Sequence, residues 1–356
     1  GQKISQTITI SQSLTFPPYL SELRGRQGEV KGLVFDKSQG DIVVSFAQVD
    51  FDGGEYLYNW AGSNSALGLS GETSNSATIF VDELGLTDGK YYIEIEVTDK
   101  TAPNSSPAVL GSMITLLESN TLSLTKDSDG DGRPDAEEGL GDSDGDGLPD
   151  YQDPYNQLAS ILPSNESDKY NYLVKAASGL RVIFGTTAIA AQTGDTKIVL
   201  DDLIDYGDKG KSADVASPDN VTLSHLFDYE VENLATPKDP SESGYTAKVT
   251  LPLDMPLGAD TAFIKYDAVN GWRDFVENDE NKITWANWSL GEAGRCPKVG
   301  DTAYTNDVAL KSGASCVQVL LQDGGPNDAD GEVNAEISDP GAVGVLSAGS
   351  SASASA

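Results

Sequence analysis

Two consecutive acidic dodecamers constrain this chain more than any other feature of its sequence. Residues 127–138 read DSDGDGRPDAEE and residues 142–153 read DSDGDGLPDYQD, so the second copy repeats the first at an offset of 15 residues. Each copy places side-chain oxygens at positions 1, 3, 5, 9 and 12 and a glycine at position 6. Because Ca²⁺ takes about six to eight oxygen ligands and is bound by loops of this spacing, the sequence predicts one calcium site in each copy.

The spacing also assigns the ligands of each site. Side chains at five positions and the backbone carbonyl at position 7 supply the oxygens in such loops, while the glycine at position 6 permits a sharp turn. The predicted ligands of the first loop are Asp127, Asp129, Asp131, the carbonyl of Arg133, Asp135 through water, and Glu138. The predicted ligands of the second loop are Asp142, Asp144, Asp146, the carbonyl of Leu148, Asp150 and Asp153.

A pair of EF-hands is the first alternative, and the spacing argues against it. Only Gly139, Leu140 and Gly141 separate the loops, too few residues for the two helices that would join consecutive hands. Pro134 and Pro149 occupy position 8, where paired EF-hand loops exchange backbone hydrogen bonds and proline has no N–H to donate. A solvated acidic linker and a Mg²⁺ site remain as alternatives. The duplicated ligand pattern favours an ion, and Mg²⁺ prefers a compact octahedron that retains water.

The charge of the chain supports a cation and excludes several kinds of partner. Residues 127–153 carry eleven acidic side chains and one basic one, and the whole chain has a formal net charge of -33. Repulsion would keep this segment expanded unless cations neutralised it. The same charge predicts that the chain does not bind nucleic acid, whose phosphates it would repel. No apolar run approaches the ~18 residues of a membrane-spanning helix, so no membrane span is predicted.

Alternation of polar and apolar residues on both sides of the loops predicts a mainly β protein. Period-two patterns at residues 42–46, 56–60 and 91–97 are typical of strands with one buried face. Similar patterns return after residue 160. We therefore expect an N-terminal β-sandwich in residues 1–120, with Trp60 in its core, and a loop linker with little regular structure in residues 121–160. A second β domain in residues 161–346 and a flexible Ser/Ala/Gly tether in residues 347–356 complete the expected order.

Two further sets of residues are candidate sites in the C-terminal part. Cys296 and Cys316 are predicted to form a disulfide, which would place the protein outside a reducing cytoplasm, with two buried thiols as the alternative. A third calcium site is the weaker prediction, and hydrogen-bonded Asx turns are its alternative. Its candidate ligands are Asp328, Asp330, Glu332, Asn334 and Asp339.

Three parts of the chain resemble families of bacterial surface proteins. The dodecamers resemble thrombospondin type 3 calcium repeats, whose DxDxDGxxDxxD pattern they match apart from Glu138 in place of the last Asp. The Tyr-rich strand at residues 56–60 and the run from Gly89 to Asp99 are similar to immunoglobulin-like domains of the PKD and cadherin-like type, over about residues 25–118. Residues 249–253, 264–275 and 321–341 resemble choice-of-anchor domains of the U type, over about residues 165–346.

These resemblances imply an exported, extracellular protein at a bacterial surface, in which calcium stiffens a connector. The implied role is structural or adhesive rather than enzymatic, with other surface proteins, copies of the chain or a glycan as partners. Residues 4–10 could complete a neighbour's sheet and form a homopolymer, or could serve as an ordinary first strand. No signal peptide or sorting anchor is recognisable, and we expect both to have been removed from this chain.

Two other classes of function remain open at this stage. A glycan-binding adhesin could use Trp285 and Trp288 to stack on sugar rings, although a core residue beside a rim residue explains the pair more simply. A glycosidase with two catalytic carboxylates is less favoured, since no acidic pair stands out from the general acidity. The single histidine, His225, offers little basis for histidine-dependent catalysis.

Overall fold

The computed structural model describes residues 19–49, 55–101, 107–118, 122–164, 168–185, 188, 196–198, 221–235, 244–254, 256–258, 260–267, 271–289, 294–307 and 311–346. These residues form nineteen strands and one short α-helix, which confirms the prediction of a mainly β protein. The predictions for residues 4–10 and 347–356 lie outside the described residues.

Eight strands before the acidic loops form what we call the N-terminal unit. They pair into two sheets, in the orders β2-β1-β4-β6 and β3-β8-β7-β5. The pairs are antiparallel except for β3 and β8, which run parallel. The strands are β1 Tyr19–Gln27, β2 Val30–Gly32, β3 Val34–Asp36, β4 Ile42–Val49, β5 Tyr56–Asn59, β6 Ser76–Ile79, β7 Gly89–Asp99 and β8 Ala108–Leu117.

The core of the N-terminal unit lies between these two sheets. Ile42 and Val44 of one sheet and Ile93 and Ile95 of the other are fully buried, and the residues between them in sequence face outward. Trp60 is also fully buried, and its indole N–H donates to the carbonyl of Ser74 at 2.8 Å. The prediction that Trp60 is a core residue is confirmed, and the buried indole nitrogen has the partner that it requires.

Eleven strands after the loops form the C-terminal unit. One sheet has the order β17-β18-β14-β10-β9, and the other has the order β11-β13-β19-β15-β16 with β12 added on β13. Both sheets contribute to one apolar core, which contains Val249 and Val317 of the first sheet and Phe227 and Ile337 of the second. The strands are β9 Ile161–Pro163, β10 Leu173–Ala176, β11 Arg181–Phe184, β12 Lys197–Ile198, β13 Val221–Glu232, β14 Thr246–Pro252, β15 Thr261–Asp267, β16 Gly271–Asp274, β17 Lys282–Ala286, β18 Cys316–Gln322 and β19 Ile337–Leu346.

Between the two units the chain has little regular structure. The helix α1 (Asp135–Glu138) is a single turn, and Asp150–Gln152 forms a 3-10 turn at the corresponding position of the second dodecamer. Each turn follows a proline, Pro134 or Pro149, whose fixed φ suits the residue before a helical turn. The chain therefore follows the same path through both copies.

The predicted disulfide is confirmed. Cys296 and Cys316 are bonded, with their Cα atoms 5.6 Å apart, and both are buried beside Ala286 and Tyr304. The bridge ties a loop to the first residue of β18. Replacing both cysteines by alanine is expected to lower the free energy of unfolding by about 3 kcal/mol, because the unfolded chain regains the entropy of a closed loop. Urea denaturation of the oxidised protein and of the double variant measures this difference, and equal midpoints would contradict it.

Candidate metal centre

Each acidic dodecamer gathers three carboxylates around one point. We call residues 127–138 the first loop and residues 142–153 the second loop. Oxygens of Asp127, Asp129 and Asp131 lie within 4.8 Å of one another, and the same holds for Asp142, Asp144 and Asp146. Among the described residues, acidic, histidine or cysteine groups converge this closely only in the two loops. Two aspartate triads that could hold a metal ion therefore occupy the predicted positions 1, 3 and 5.

The backbone around both triads is held by the same hydrogen bonds. The position-1 carboxylate accepts from two glycine N–H groups, at 2.6 and 3.0 Å in the first loop and at 2.7 and 3.2 Å in the second. The carboxylates at positions 3 and 5 each accept from the N–H two residues later. These bonds use one oxygen of each carboxylate at positions 3 and 5. The second oxygens of Asp129, Asp144 and Asp146 are buried and accept no hydrogen bond within the described part of the chain.

The glycines at position 6 are required by backbone conformation. Gly132 has φ of 101° and Gly147 has φ of 102°, a region that side chains with a Cβ rarely adopt. At this point the chain turns back toward the position-1 carboxylate, which accepts the glycine N–H. The sequence prediction of a sharp turn at these glycines is confirmed.

Six buried carboxylate oxygens in the two loops have no hydrogen-bond donor within the described part of the chain. They belong to positions 3, 5 and 12 and are Asp129 Oδ2, Glu138 Oε1, Glu138 Oε2, Asp144 Oδ2, Asp146 Oδ2 and Asp153 Oδ2. Glu138 has only an ion pair with Arg133 at 3.5 Å. Buried carboxylate oxygens without a partner are costly. A cation bound at the centre of each loop would satisfy these oxygens.

The position-9 aspartates accept hydrogen bonds from the serine at position 2 of the same loop. Both oxygens of Asp135 accept hydrogen bonds from Ser128, one from its N–H at 2.7 Å and one from its hydroxyl at 2.9 Å. Asp150 makes the same pair of bonds to Ser143, at 2.8 and 2.7 Å. The two aspartates close the loops and are not among the converging triads. The serine at position 2, which spacing alone did not single out, is their partner.

Position 7 differs between the loops in its side chain. In both loops its backbone N–H is held by the position-5 carboxylate, at 2.7 Å for Arg133 and 2.8 Å for Leu148. The bond ties the peptide of position 7, whose carbonyl is a predicted ligand, to the position-5 carboxylate of the triad. The side chain of Arg133 reaches Glu138, whereas Leu148 is buried in the core of the C-terminal unit.

Burial and mutual repulsion raise the pKa of several loop carboxyls. Burial is the largest cause in each case, followed for Glu138 and Asp144 by the negative charges of neighbouring aspartates. The pKa is raised to about 6 for Asp129 and Asp144, and to about 7 for Glu138 and Asp153. The pKa of the fully buried Asp146 is raised well above its ordinary value. Without a cation these sites therefore hold protons at pH values where free carboxyls are ionised.

The two loops differ in their surroundings. In the first triad Asp127 and Asp131 are exposed, whereas in the second Asp142 and Asp146 are buried. Arg24 of β1 forms an ion pair with Asp142 at 3.3 Å, and its guanidinium also donates to the carbonyl of Gly145. A Cβ added to Gly145 would lie 2.2 Å from this guanidinium, so only glycine fits there. The N-terminal unit thus packs directly on the second loop.

The second loop is held from the other side by the C-terminal unit. Gly147 lies against Phe184 of β11, and Leu148 enters the core of that unit. A cavity of about 280 Å³ opens at this junction, and Asp142 and Asp146 are among the residues that line it. Two members of the second triad therefore border a cavity between the units.

Ion pairs connect the two units beside the second loop. The guanidinium of Arg181 on β11 contacts Glu232 of β13, and it also reaches Glu22 of β1 at 3.3 Å. Glu22 has φ of 55° at the bulge where the pairing of β1 with β4 changes register. The bulge directs this carboxylate across the junction. Sequence reasoning missed these residues, because single charges within strands carry no signal of a partner 51 or 159 positions away.

The candidate third site is a set of hydrogen-bonded turns with Asp339 placed elsewhere. Asp328 accepts from the N–H groups of Gly324 and Ser338, and Asp330 accepts from the N–H of Glu332 and the side-chain amide of Asn334. Asp323, which spacing did not suggest, holds the N–H of Asn334 at 2.9 Å. Asp339 faces the core on β19, where Tyr229 donates to it. Both oxygens of Asp328 accept from backbone N–H groups, and those of Asp330 accept from one backbone N–H and the Asn334 amide.

The two tryptophans suggested as a sugar platform have different environments. Trp285 is buried in the core of the C-terminal unit, while Trp288 is 41% exposed. The guanidinium of Arg295 lies 4.2 Å from the centre of the Trp288 ring. The interpretation as a core residue beside a rim residue is confirmed.

No protein-family model, curated protein or solved structure matches the chain. Among the described residues, no helix combines the length and apolar character needed to cross a bilayer.

Proposed function

We propose that this chain is a non-enzymatic, calcium-binding structural protein in which two tandem loops hold Ca²⁺ and fix the arrangement of two β units. The observation that carries the proposal is the set of six buried carboxylate oxygens without donors at positions 3, 5 and 12. Their duplication in two loops with the same hydrogen bonds argues against an accidental cluster. We propose calcium because all the candidate ligands are oxygens. Each loop also offers more protein oxygens than Mg²⁺ usually binds, since Mg²⁺ keeps several of its water ligands.

The proposed role of calcium follows from the make-up of the linker. The loops bury few apolar side chains, so their ordered state depends on neutralising the negative charge of their carboxylates. An ion that binds only the ordered state stabilises it by mass action. Residues of both units surround the second loop, and its ion would therefore also stabilise their docking.

Export to a bacterial surface extends the same proposal. The disulfide supports an oxidising location, where calcium is abundant. The resemblance to thrombospondin type 3 repeats, immunoglobulin-like domains and choice-of-anchor domains favours display outside the cell, with a structural or adhesive role. Other surface proteins or copies of the chain are the proposed partners.

Calorimetric titration of the chelated protein with CaCl2 tests the proposal. We expect two bound ions per chain, one for each loop. Small-angle scattering should report a compact particle in calcium and a longer, more flexible one after chelation. The matched titration with MgCl2 should give much weaker binding. Absence of calcium binding in the millimolar range would overturn the proposal.

The stabilising effect of calcium is expected to depend on pH. Carboxyls whose pKa is raised in the folded apo protein, to about 6 for Asp144 and about 7 for Asp153, stabilise that state at low pH. This contribution is lost as the pH rises through those values, because the folded sites must then carry repelling charges. Calcium binds the ionised carboxylates, so it should raise the melting temperature most above pH 7 and hardly at all below pH 5. Thermal melts with calcium and with chelator from pH 4 to pH 8 measure this, and a difference independent of pH would contradict it.

Glycan binding is a second candidate function, supported by Trp288. This ring is exposed and stacked on Arg295, and Tyr172 meets it edge-on with the ring centres 6.4 Å apart. Such a cluster offers a flat apolar face beside hydrogen-bond donors. A glycan array probed with the wild type and with Trp288→Ala tests this, and the buried Trp285 cannot contribute. A signal lost in the variant at an unchanged melting temperature would favour it, and no signal from the wild type would exclude it.

A further inference from the structure

Two oppositely charged side chains meet inside the core of the C-terminal unit. Lys265 lies on β15 and Asp339 on the adjacent strand β19. Lys265 is paired with Gly341 in the strand register, and Asp339 is two residues before Gly341, on the same face. A diagonal neighbour of this kind is within reach of a long side chain.

Both side chains are completely removed from solvent. Lys265 and Asp339 are each 0% exposed, and the Lys265 Nζ is in direct contact with the Asp339 Oδ1. Phe263 on β15 is buried beside them. A Cβ added to Gly341 would lie 3.0 Å from both Asp339 Oδ1 and the Phe263 ring. The absence of a Cβ at Gly341 therefore leaves space beside the Asp339 carboxyl group that Lys265 contacts.

A buried ion pair explains this arrangement poorly. Two charges lose their hydration in an apolar core, and mutual attraction often fails to offset that loss. Burial disfavours the charged form of each group, and transfer of one proton within the pair gives a neutral amine and a neutral carboxylic acid. These are the forms in which an amine can act as a nucleophile and a carboxyl group as its electrophile.

We propose that Lys265 and Asp339 react to form an intramolecular amide bond, an isopeptide crosslink between β15 and β19. The neutral Nζ attacks Cγ of the protonated Asp339 carboxyl, and a C–N bond forms. The C–OH bond of the resulting tetrahedral intermediate then breaks. The departing hydroxyl takes the proton that nitrogen loses, so the products are the amide and one water molecule. The reaction needs no cofactor, oxidant or activated donor.

Tyr229 is placed to assist this step as a catalytic residue. It lies directly opposite Asp339 in the pairing of β13 with β19, and its hydroxyl donates to Asp339 Oδ2. Burial, followed by the negative charge of Asp228, raises the pKa of Tyr229 well above its ordinary value, so the phenol keeps its proton. A neutral donor aimed at this oxygen stabilises the negative charge that develops there during attack. The fold holds all three groups in place, which replaces a bimolecular encounter by a unimolecular step.

Two other buried cations, Lys175 and Arg181, make different contacts. Lys175 is buried, but its Nζ donates to the backbone carbonyl of Cys296 at 2.8 Å, and a peptide carbonyl is a poor electrophile. Arg181 contacts the buried carboxylate of Glu232, but a guanidinium stays protonated in proteins and is not a nucleophile. Lys175 and Arg181 thus supply matched controls.

The crosslink would change how the C-terminal unit responds to force. β19 lies between β13 and β15 in its sheet. Hydrogen bonds alone let a strand under load separate from its neighbour step by step. A covalent link from Asp339 to Lys265 would hold β19 to β15 after those bonds had broken. This property goes beyond calcium binding and does not depend on it.

Mass spectrometry of the intact, denatured protein tests the proposal directly. The expected mass of the wild type is below that calculated from the sequence by one water molecule, in addition to the two hydrogen atoms lost in the disulfide. Tryptic digestion should give a branched peptide that joins the segments containing Lys265 and Asp339, with no cleavage after Lys265. A wild-type mass without the loss of water, together with cleavage after Lys265, would overturn the proposal even if no variant were made.

Variants assign the loss of water to these two residues. Lys265→Met and Asp339→Ala should each restore the water, whereas Lys175→Met should retain the loss. In chains sampled at intervals after synthesis, Tyr229→Phe should slow the appearance of the loss of water by about 10²-fold, the usual effect of removing one such donor. If a variant fails to fold, peptide mapping of the wild type still decides. A loss of water that persists in folded Lys265→Met would contradict the assignment.

Discussion

Replacing Asp146 by asparagine is expected to free the two β units from each other, whereas the same change at Asp131 is expected to leave them docked. Both aspartates occupy position 5 of their loops. Each accepts a hydrogen bond from the N–H of the residue two positions later. They differ in what surrounds them. Asp146 is fully buried at the junction, and Asp131 is exposed.

The difference follows from the contacts of each loop. The second loop meets Arg24 of the N-terminal unit, while its Leu148 belongs to the core of the C-terminal unit. Loss of its ion would leave buried carboxylates that repel one another and weaken contacts on both sides. The first loop lies beside Tyr170, which belongs to the C-terminal unit. The described ion pairs of the first loop involve Lys126 and Arg133, and neither residue belongs to the N-terminal unit. Loss of the ion in the first loop should therefore leave the docking of the two units in place.

The expected size of the effect comes from mass action. A calcium concentration 100 times the dissociation constant stabilises the bound state by about 2.7 kcal/mol, which the docked arrangement loses when the second loop is vacant. Spin labels at Glu83 and Asp279, which are exposed on different units, report the distance between the units by pulsed electron resonance. We expect a narrow distribution for the wild type and for Asp131→Asn in calcium, and a broad one for Asp146→Asn.

Calcium stoichiometry of the same samples separates two kinds of failure. If neither the wild type nor the variants bind calcium, the proposed function itself is wrong. If each variant retains one ion and both distributions are equally narrow, calcium is bound but does not set the geometry. Equal broadening in both variants would show that the loops act together rather than in different roles.

Much of the site could be predicted from the sequence because its information is local. Twelve consecutive residues specify the oxygens at positions 1, 3 and 5 and the glycine turn at position 6, and the duplication makes the pattern hard to mistake. The hydrogen bonds from Ser128 to Asp135 were not predictable in this way, because they depend on the path of the backbone between positions 2 and 9.

Contacts between distant strands were not predictable for a different reason. Alternation after residue 160 predicted that this part of the chain contains strands. It did not predict that Lys265 and Asp339, 74 positions apart, share a face of adjacent strands. Polar residues inside a strand pattern indicate exposure until the register is known. The candidate ligand Asp339 was therefore grouped with its neighbours in sequence rather than with its partners in the core.

Replacing Arg181 by methionine is expected to be among the most destabilising single changes at the junction. Arg181 is 8% exposed and contacts Glu232, whose side chain is 1% exposed. Burial raises the pKa of Glu232, and the charge of Arg181 opposes that shift. Removing the arginine leaves a buried carboxylate without its counter-charge, a change that costs roughly 3 to 5 kcal/mol. It also removes the link from Arg181 to Glu22 across the junction.

The double variant Arg181→Met with Glu232→Met separates pairing from packing. Because both charges are then gone, we expect most of the lost stability to return. Lys37→Met is the matched control at an exposed pair, since Lys37 contacts Glu118 at 2.6 Å and that carboxylate is 63% exposed. Its cost should stay within about 1 kcal/mol. Urea denaturation in calcium measures all three variants.

The pH dependence of the Arg181→Met deficit gives an independent check of its cause. Without the arginine, the pKa of Glu232 should rise further, and a group whose folded pKa is raised loses its stabilising contribution as the pH increases. The deficit should therefore be larger at pH 8 than at pH 5, where the buried carboxyl can take up a proton. A deficit equal at both pH values would mean that lost packing of the arginine stem, rather than an unpaired charge, causes the destabilisation.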